Sequence, residues 1–367
     1  MSAAMTPLER DIRRRIAAAG PMPVGQYMAM CLADPRYGYY ITRDPLGARG
    51  DFTTAPEVSQ MFGELIGLWM TSVWQQMGAP ENLRIVELGP GRGTLMKDAL
   101  RAAKVAPGFV EAAVLHLVEI SPVLQAAQEQ TLAATNVGVY WHTSLGDVPQ
   151  GPAVIVANEF FDALPVDQAV KTADGWHRRG VTIDADDKLT YGMSPEPLPR
   201  FEATLPPAVR AARDGDIFEW RPDIPAMEIG RRIAKSPGAA LIVDYGHVES
   251  AVGETLQAVR DHLFEDPLAT PGEADLTAHV DFQALTRTLA AMGTTVHGPI
   301  EQAIFLRRLG IETRAARLKT KASPDTAYQV DVALARLAGI GRTGMGSLFK
   351  VVACTHPSLP APPAFEG

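Results

Sequence analysis

The stretch "RIVELGPGRGTLMKDAL", residues 84–100, decides the fold. An apolar run through Leu88 reads as a strand, glycines at 89, 91 and 93 read as a turn, and Thr94 opens a segment with helical spacing. Glycine lets the backbone take left-handed conformations and lets a ligand approach closely at a helix N-terminus. The spacing separates the candidate ligands. A dinucleotide fingerprint G-x-G-x-x-G requires a third glycine at 94 or 96, where Thr94 and Met96 stand. A P-loop requires Gly-Lys-Ser/Thr at the end of the turn, and none is present.

Further short apolar runs lie on either side: "VLHLVEI" from 114, "VGVYWHTS" from 137, "AVIVANE" from 153 and "AALIVDYG" from 239. Helix-like segments separate them, so the pattern predicts an α/β fold with a parallel sheet covered on both faces. "SLFKVVACT", 347–355, is expected to close the sheet as an antiparallel strand. Upstream, Val58, Met61, Phe62, Leu65, Ile66, Trp69, Val73 and Met77 share one helical face, with Thr54 and Glu57 placed to form a capping box. The gap from 160 to 238 is far longer than a simple crossover needs. Within it, "DQAVKTADGWHRRGVTIDADDKLTYGM" alternates and turns near Asp174-Gly175 and Asp184, which predicts a small β-meander.

Composition narrows the function classes. The chain has 367 residues, 46% of them hydrophobic, and a net charge of -8, which argues for a globular protein and against a nucleic-acid partner. Two distant cysteines, Cys31 and Cys354, can build neither a disulfide framework nor a Cys-rich zinc site, and no His/Asp/Glu spacing resembles a metal ligand set. No run approaches the roughly 18 apolar residues of a membrane span. The arginine-rich start carries Glu9 and Asp11, lacks the apolar core of a secretory signal, and reads as an amphipathic helix.

The motif from Glu87 through Gly93, E-x-G-x-G-x-G, resembles the first motif of class I S-adenosylmethionine-dependent methyltransferases. The resemblance implies a Rossmann-like sheet in which Glu87, Gly89, Gly91 and Gly93 border the cofactor. It also implies that Glu119, ending "LHLVE", accepts from the two ribose hydroxyls, and that Ser144 and Leu145 lie where the adenine is read, with Asp147 a less well-placed candidate. Longer blocks, "GDFTTAPEVSQMFGELIG" at 50, "VELGPGRGTL" at 86, "NEFFDALPVDQ" at 158, "IVDYGH" at 242 and "DPLATPGEADLTAHVDF" at 266, resemble the MidA family, relatives of a mitochondrial complex I assembly factor. That resemblance implies S-adenosylmethionine as cofactor and a protein partner, an arginine of a complex I core subunit, as methyl acceptor. Without a convincing transit peptide, a bacterial cytoplasmic member is expected. The expected organisation is a helical extension and cap over 1–80, a methyltransferase domain over 81–355 with the meander inserted at 165–238 between the fourth and fifth strands, and a flexible tail at 356–367.

In an open α/β sheet, ligands sit beyond the carboxyl ends of the strands. Asn158, Glu159 and Asp162 follow the fourth strand directly, so they are the expected catalytic group. A guanidinium offers a planar fork of donors that a carboxylate can bind at two points. Methyl transfer from a sulfonium needs alignment and charge stabilisation more than proton transfer. Glu159 and Asp162 would supply these, and the Asn158 amide would hold a cofactor or substrate group. Asp162 as a cap of the turn before Leu164-Pro165, Glu57 as a helix cap, and His262 and His279 as loop histidines remain open alternatives. Two other functions stay open as well: a non-catalytic assembly factor that keeps the fold, and a small-molecule methyltransferase.

Overall fold

Every apolar run picked out above is a strand of one sheet in a computed structural model that describes residues 5–43, 53–341 and 343–366. With one further strand, β6, they are β1 (Leu83–Leu88), β2 (Ala113–Val118), β3 (Gly138–His142), β4 (Ala153–Asn158), β5 (Gly238–His247), β6 (Thr295–Glu301) and β7 (Phe349–Thr355). Their order across the sheet is β6-β7-β5-β4-β1-β2-β3. The strands from β5 through β3 pair in parallel, and β7 runs antiparallel between β5 and β6. β6 has no counterpart in the sequence reading. Its "TVHGPIE" is half exposed and interrupted by Gly298-Pro299, where the register shifts between His297 and Ile300, so it lacks the continuous apolar run that marks a buried strand.

The chain divides into two compact units. One gathers Met1–Phe52, Asp162–Pro222 and His247–Gln283, and the other gathers Thr53–Phe161, Asp223–Gly246 and Ala284–Gly367. This corrects the expected boundaries in four places. The helix α1 (Gln60–Gln76) belongs to the sheet unit, because Met61, Phe62, Leu65, Ile66, Trp69 and Val73 join the core formed by Ile85, Leu115 and Val154. The helix Ile224–Lys235 also belongs there and leads into β5, so the excursion after β4 is shorter than 165–238. A second excursion, His247–Gln283, leaves the sheet unit after β5. The tail is packed: Trp69 Nε1 donates to Pro363 O (3.2 Å), Gln76 Nε2 donates to Ala361 O (3.3 Å), and the Phe365 ring meets Phe305 at 5.8 Å. Its prolines suppress helix and strand without preventing side-chain contact.

The single long helix read across 57–77 is broken. A short turn, Ala55–Val58, ends at Ser59, whose hydroxyl accepts from Met61 N and caps α1. Thr54 makes no capping bond, so the predicted capping box does not form. Residues Gly50 to Phe52 of the quoted block lie outside the described residues.

The other unit starts with the expected amphipathic helix, Pro7–Ala19, capped by Thr6 and burying Leu8, Ile12 and Ile16. The predicted meander is present as Asp167–Thr172, Gly175–Ile183 and Leu189–Met193, joined antiparallel. Its aromatic cluster includes Trp176, Phe201, Phe218 and Trp220.

Close approach dictates the contact between α1 and α2 (Thr94–Ala103). A Cβ on Gly67 would lie 2.3 Å from Ala99 O, and one on Gly63 would lie 2.9 Å from Leu95 O. These neighbours are backbone and cannot swing away. Gly67→Ala is therefore expected to lower the unfolding free energy in urea by about 1–3 kcal/mol through overpacking, although alanine is the better helix former by about 1 kcal/mol. Unchanged or raised stability would mean that the helices are not held by this contact.

Candidate active site

Register brings the strand ends together. Leu88 pairs with Val118 and Ala157, and Asn158 pairs with Val243, so the carboxyl ends of β2, β1, β4 and β5 share one edge. The chain runs outward from β1 through β2 to β3 and then returns to β4 on the other side of β1. That reversal opens a crevice beyond β1 and β4, the place where such sheets bind ligands.

Gly89, Gly91 and Gly93 occupy the crevice turn at φ +62°, +53° and +80°. Side chains are strained in this region, and a Cβ on Gly89 would also meet the Phe160 ring at 3.0 Å. Gly93 caps α2, and Thr94 Oγ1 donates to Glu57 Oε1 at 2.5 Å, so Glu57 holds the start of this helix instead of capping its own.

Two carboxylates stand beside the turn. Glu87 is buried, and its Oε2 has no hydrogen-bond partner among the described residues. Burial, and then the neighbouring Glu119 charge, push its carboxyl well above the usual range. Glu119 is buried as well, which raises its pKa, but it is better held: Oε1 accepts from Ser121 N (2.8 Å) and Oε2 from Gln128 Nε2 (3.2 Å). The expected pair Ser144 and Leu145 begins a short 3-10 turn after β3. Ser144 Oγ donates to Asp147 Oδ2 (2.8 Å), and Leu145 is buried.

After β4 the backbone turns sharply. Glu159 sits at φ +50°, an uncommon conformation for a side chain with a Cβ and one that clusters at functional sites. Its Oε1 accepts from Ala55 N (3.0 Å) and from Asn158 Nδ2 (3.1 Å), so Glu159 supplies the acceptor that Thr54 does not. Asn158 Oδ1 is buried with no hydrogen-bond partner among the described residues.

The division between units runs between Phe161 and Asp162, so the structure groups Asn158 and Glu159 with the glycine turn and describes Asp162 in the other unit. There Asp162 is buried, and its carbonyl accepts from Ala278 N (3.1 Å) and Arg221 Nη2 (3.3 Å). Burial raises the Tyr40 pKa well above its ordinary value, with Asp275, which accepts from Tyr40 Oη at 2.8 Å, and Asp162 adding to the rise. His262 lies in the two-residue turn Asp261-His262 of an exposed hairpin, and His279 contributes backbone bonds to Thr255 and Arg221.

Sequence reasoning missed Gln128 and Asp244. Asp244 is fully buried, and its Oδ2 accepts from Phe161 N (2.9 Å), fixing the turn after Glu159. Its signal was present: a lone acid ending the apolar run "ALIV". Gln128 carried no signal, being one polar residue among several on a helix.

The crevice fits S-adenosylmethionine. A phosphate would be set against two buried acids, whereas a ligand bringing positive charge and hydroxyl donors meets acceptors at Glu87 and Asn158 that have no partner among the described residues, and a turn whose glycines leave room for close approach. Among the described residues, no group of three or more His, Cys, Asp or Glu could hold a metal ion.

Comparison with known proteins agrees with this geometry. A family described as putative S-adenosyl-L-methionine-dependent methyltransferases matches residues 65–300. The mitochondrial protein arginine methyltransferase NDUFAF7 of Mus musculus is 38% identical, over 89% of this chain and 79% of its own, and its Drosophila melanogaster homologue is 37% identical, over 87% and 78%. A Burkholderia thailandensis crystal structure bound to S-adenosyl-homocysteine superposes with a TM-score of 0.84 at 30% identity, covering 98% of this chain and 94% of its own. The chain belongs to the MidA family of class I methyltransferases, and it is an enzyme whose cofactor is S-adenosylmethionine.

Proposed function

We propose that the methyl acceptor is an arginine of a protein, and that this protein is a core subunit of respiratory complex I under assembly. The observation that carries the acceptor class is the Asn158-Glu159 pair. It offers a buried amide oxygen lacking a donor among the described residues and a carboxylate held in a strained turn at the edge of the cofactor crevice. The protein arginine methyltransferases at 37–38% identity support the same class, and the MidA resemblance supports the choice of subunit. Cys31 and Cys354 are free and buried, in keeping with a reducing compartment as the place of action.

Bound S-adenosylmethionine supplies an electrophilic methyl group on a positively charged sulfur. The chain's part is to hold. Gly89, Gly91 and Gly93 let the backbone approach the cofactor, Glu119 accepts from the ribose hydroxyls, Ser144 and Leu145 border the adenine, and Glu87 sets a buried carboxyl beside the cofactor's cationic end. Asn158 Oδ1 accepts from an N–H of the acceptor, and Glu159 stabilises the guanidinium charge. Asp162 is a further carboxylate for a basic substrate, and it is tested separately.

Glu119→Gln keeps an acceptor for Ser121 N and loses one carboxylate oxygen, so S-adenosyl-homocysteine affinity should fall by about 1.5–3 kcal/mol. Calorimetry that finds parent affinity would remove Glu119 from the cofactor site.

Glu159→Gln and Asp162→Asn should bind S-adenosyl-homocysteine nearly as well as the parent, yet transfer labelled methyl from S-adenosylmethionine slowly. Losing a charged partner from a desolvated pair costs about 2–5 kcal/mol, equivalent to roughly 30-fold to several-thousand-fold in rate. The assay uses a lysate of cells lacking this protein, followed by identification of the labelled species. Label on a small molecule or on a residue other than arginine would overturn the acceptor class. Parent rates in folded variants would make both carboxylates structural.

A further inference from the structure

We infer that Gln128 is a positioning residue for cofactor recognition, aligning the Glu119 carboxylate and the Gly91 peptide for the ribose end of S-adenosylmethionine. The inference rests on the assignment of Glu119 to the cofactor site. Gln128 is completely buried on α3 (Pro122–Leu132), and its amide bridges three separate elements. Nε2 donates to Gly91 O (2.7 Å) in the glycine turn and to Glu119 Oε2 (3.2 Å) after β2, while Oε1 accepts from Trp141 Nε1 (2.9 Å) on β3.

Trp141 settles which way the amide points. An indole N–H can only donate, so the amide oxygen must face it, which turns both amide protons toward the two acceptors in the crevice. The amide thus spends both its donors on Gly91 and Glu119, and a rotated amide would set an oxygen against a carbonyl and a carboxylate. Helix α3 is anchored at its start, where Ser121 Oγ accepts from Leu124 N and Ser121 N donates to Glu119 Oε1. Both oxygens of Glu119 are therefore held from one helix. Gly91 gains as well: its peptide sits at φ +53°, and the Gln128 bond fixes its carbonyl.

The same bond matters for charge. Burial raises the Glu119 pKa, while hydrogen bonds from Ser121 N, Gln128 and Ile120 N lower it. Glu87 on β1 is the other carboxylate in range, and burial and the Glu119 charge together raise its own pKa. His142 O accepts from Glu119 N, and the His142 ring pairs with His116. Accepting from two ribose hydroxyls suits the ionised carboxylate, so affinity is lost as pH falls through the Glu119 pKa. Removing Gln128 takes away a lowering contribution, so the acid limb of affinity should move to higher pH.

The test is S-adenosyl-homocysteine binding by the full chain across pH, for the parent, Gln128→Met, Glu119→Gln and the double variant. Gln128→Met is expected to weaken binding about tenfold near neutral pH, the usual size of a lost hydrogen bond to a charged group, and to shift the acid limb upward. In the Glu119→Gln background the same change should cost about twofold or less, because the residue it acts on has lost its charge. A penalty equal in both backgrounds, or an unmoved limb, would reduce Gln128 to a packing residue. If Gln128→Met does not fold, Trp141→Phe carries the test, since it frees the amide without removing it. It should weaken binding in a Glu119-dependent way, and parent affinity would overturn the inference. A parent that does not bind S-adenosyl-homocysteine would overturn the site assignment and this inference with it, whereas a binding parent with unaffected variants overturns the inference alone.

Discussion

Two buried carboxylates at the ends of adjacent parallel strands set the terms for the rest of the site. Glu87 and Glu119 are shielded from water, and the resulting cost appears as raised pKa values and as an oxygen on Glu87 without a partner among the described residues. A buried acid without a donor costs free energy and is retained where something else gains from it. In the proposed site the gain falls to a cofactor that arrives with positive charge and hydroxyl donors. The glycine turn, the start of α3 and the Gln128 amide are then understandable as the means of keeping such an expensive arrangement in one geometry.

The sheet was legible because it is buried on both faces. Parallel strands covered by helices must be continuously apolar, and β1, β2, β4 and β5 each carry such a run. The glycine turn was legible for a different reason: three left-handed positions within five residues leave few alternatives to glycine. Gln128 was not legible. Nothing local separates it from Gln125 or Gln130, and only the fold brings Gly91, Glu119 and Trp141 around it. Asp244 lies between these cases, since an acid closing an apolar run is visible, but its bond to Phe161 N is not.

Unit boundaries failed for a related reason. The sequence reading treated the chain as successive segments, whereas the units are assembled from three segments each. The helix α1 illustrates the difficulty. Its apolar face shows that it covers something, but amphipathic periodicity does not say which surface. The Gly63 and Gly67 contacts with α2 do say so, yet two glycines four apart in a helix read first as weak helix formers. The predicted Thr54-Glu57 capping box failed similarly: both acceptors were identified correctly as polar groups at a helix start, but Glu159, 104 residues away, supplies the bond to Ala55 N.

The polar residues that end β4 follow from these constraints. A strand buried on both faces cannot place an amide and a carboxylate within itself, so they appear where pairing stops and the chain bends. Glu159 N donates to Val243 O and thereby completes the ladder, Glu159 itself turns the chain at φ +50°, and Asp244 on the adjoining strand accepts from the amide that follows at Phe161. Backbone donors that the bend would otherwise strand are thus satisfied at its two ends. The Glu159 carboxylate in turn receives the amide that opens the Ala55 turn, and Glu57 in that turn receives Thr94 at the start of α2. The segment after β4 and the helix after the glycine turn are therefore joined through one short piece of chain. Rigidity at the turn leaves Asn158 Oδ1 without a donor among the described residues, and an acceptor held in that state is ready for a donor that a ligand brings.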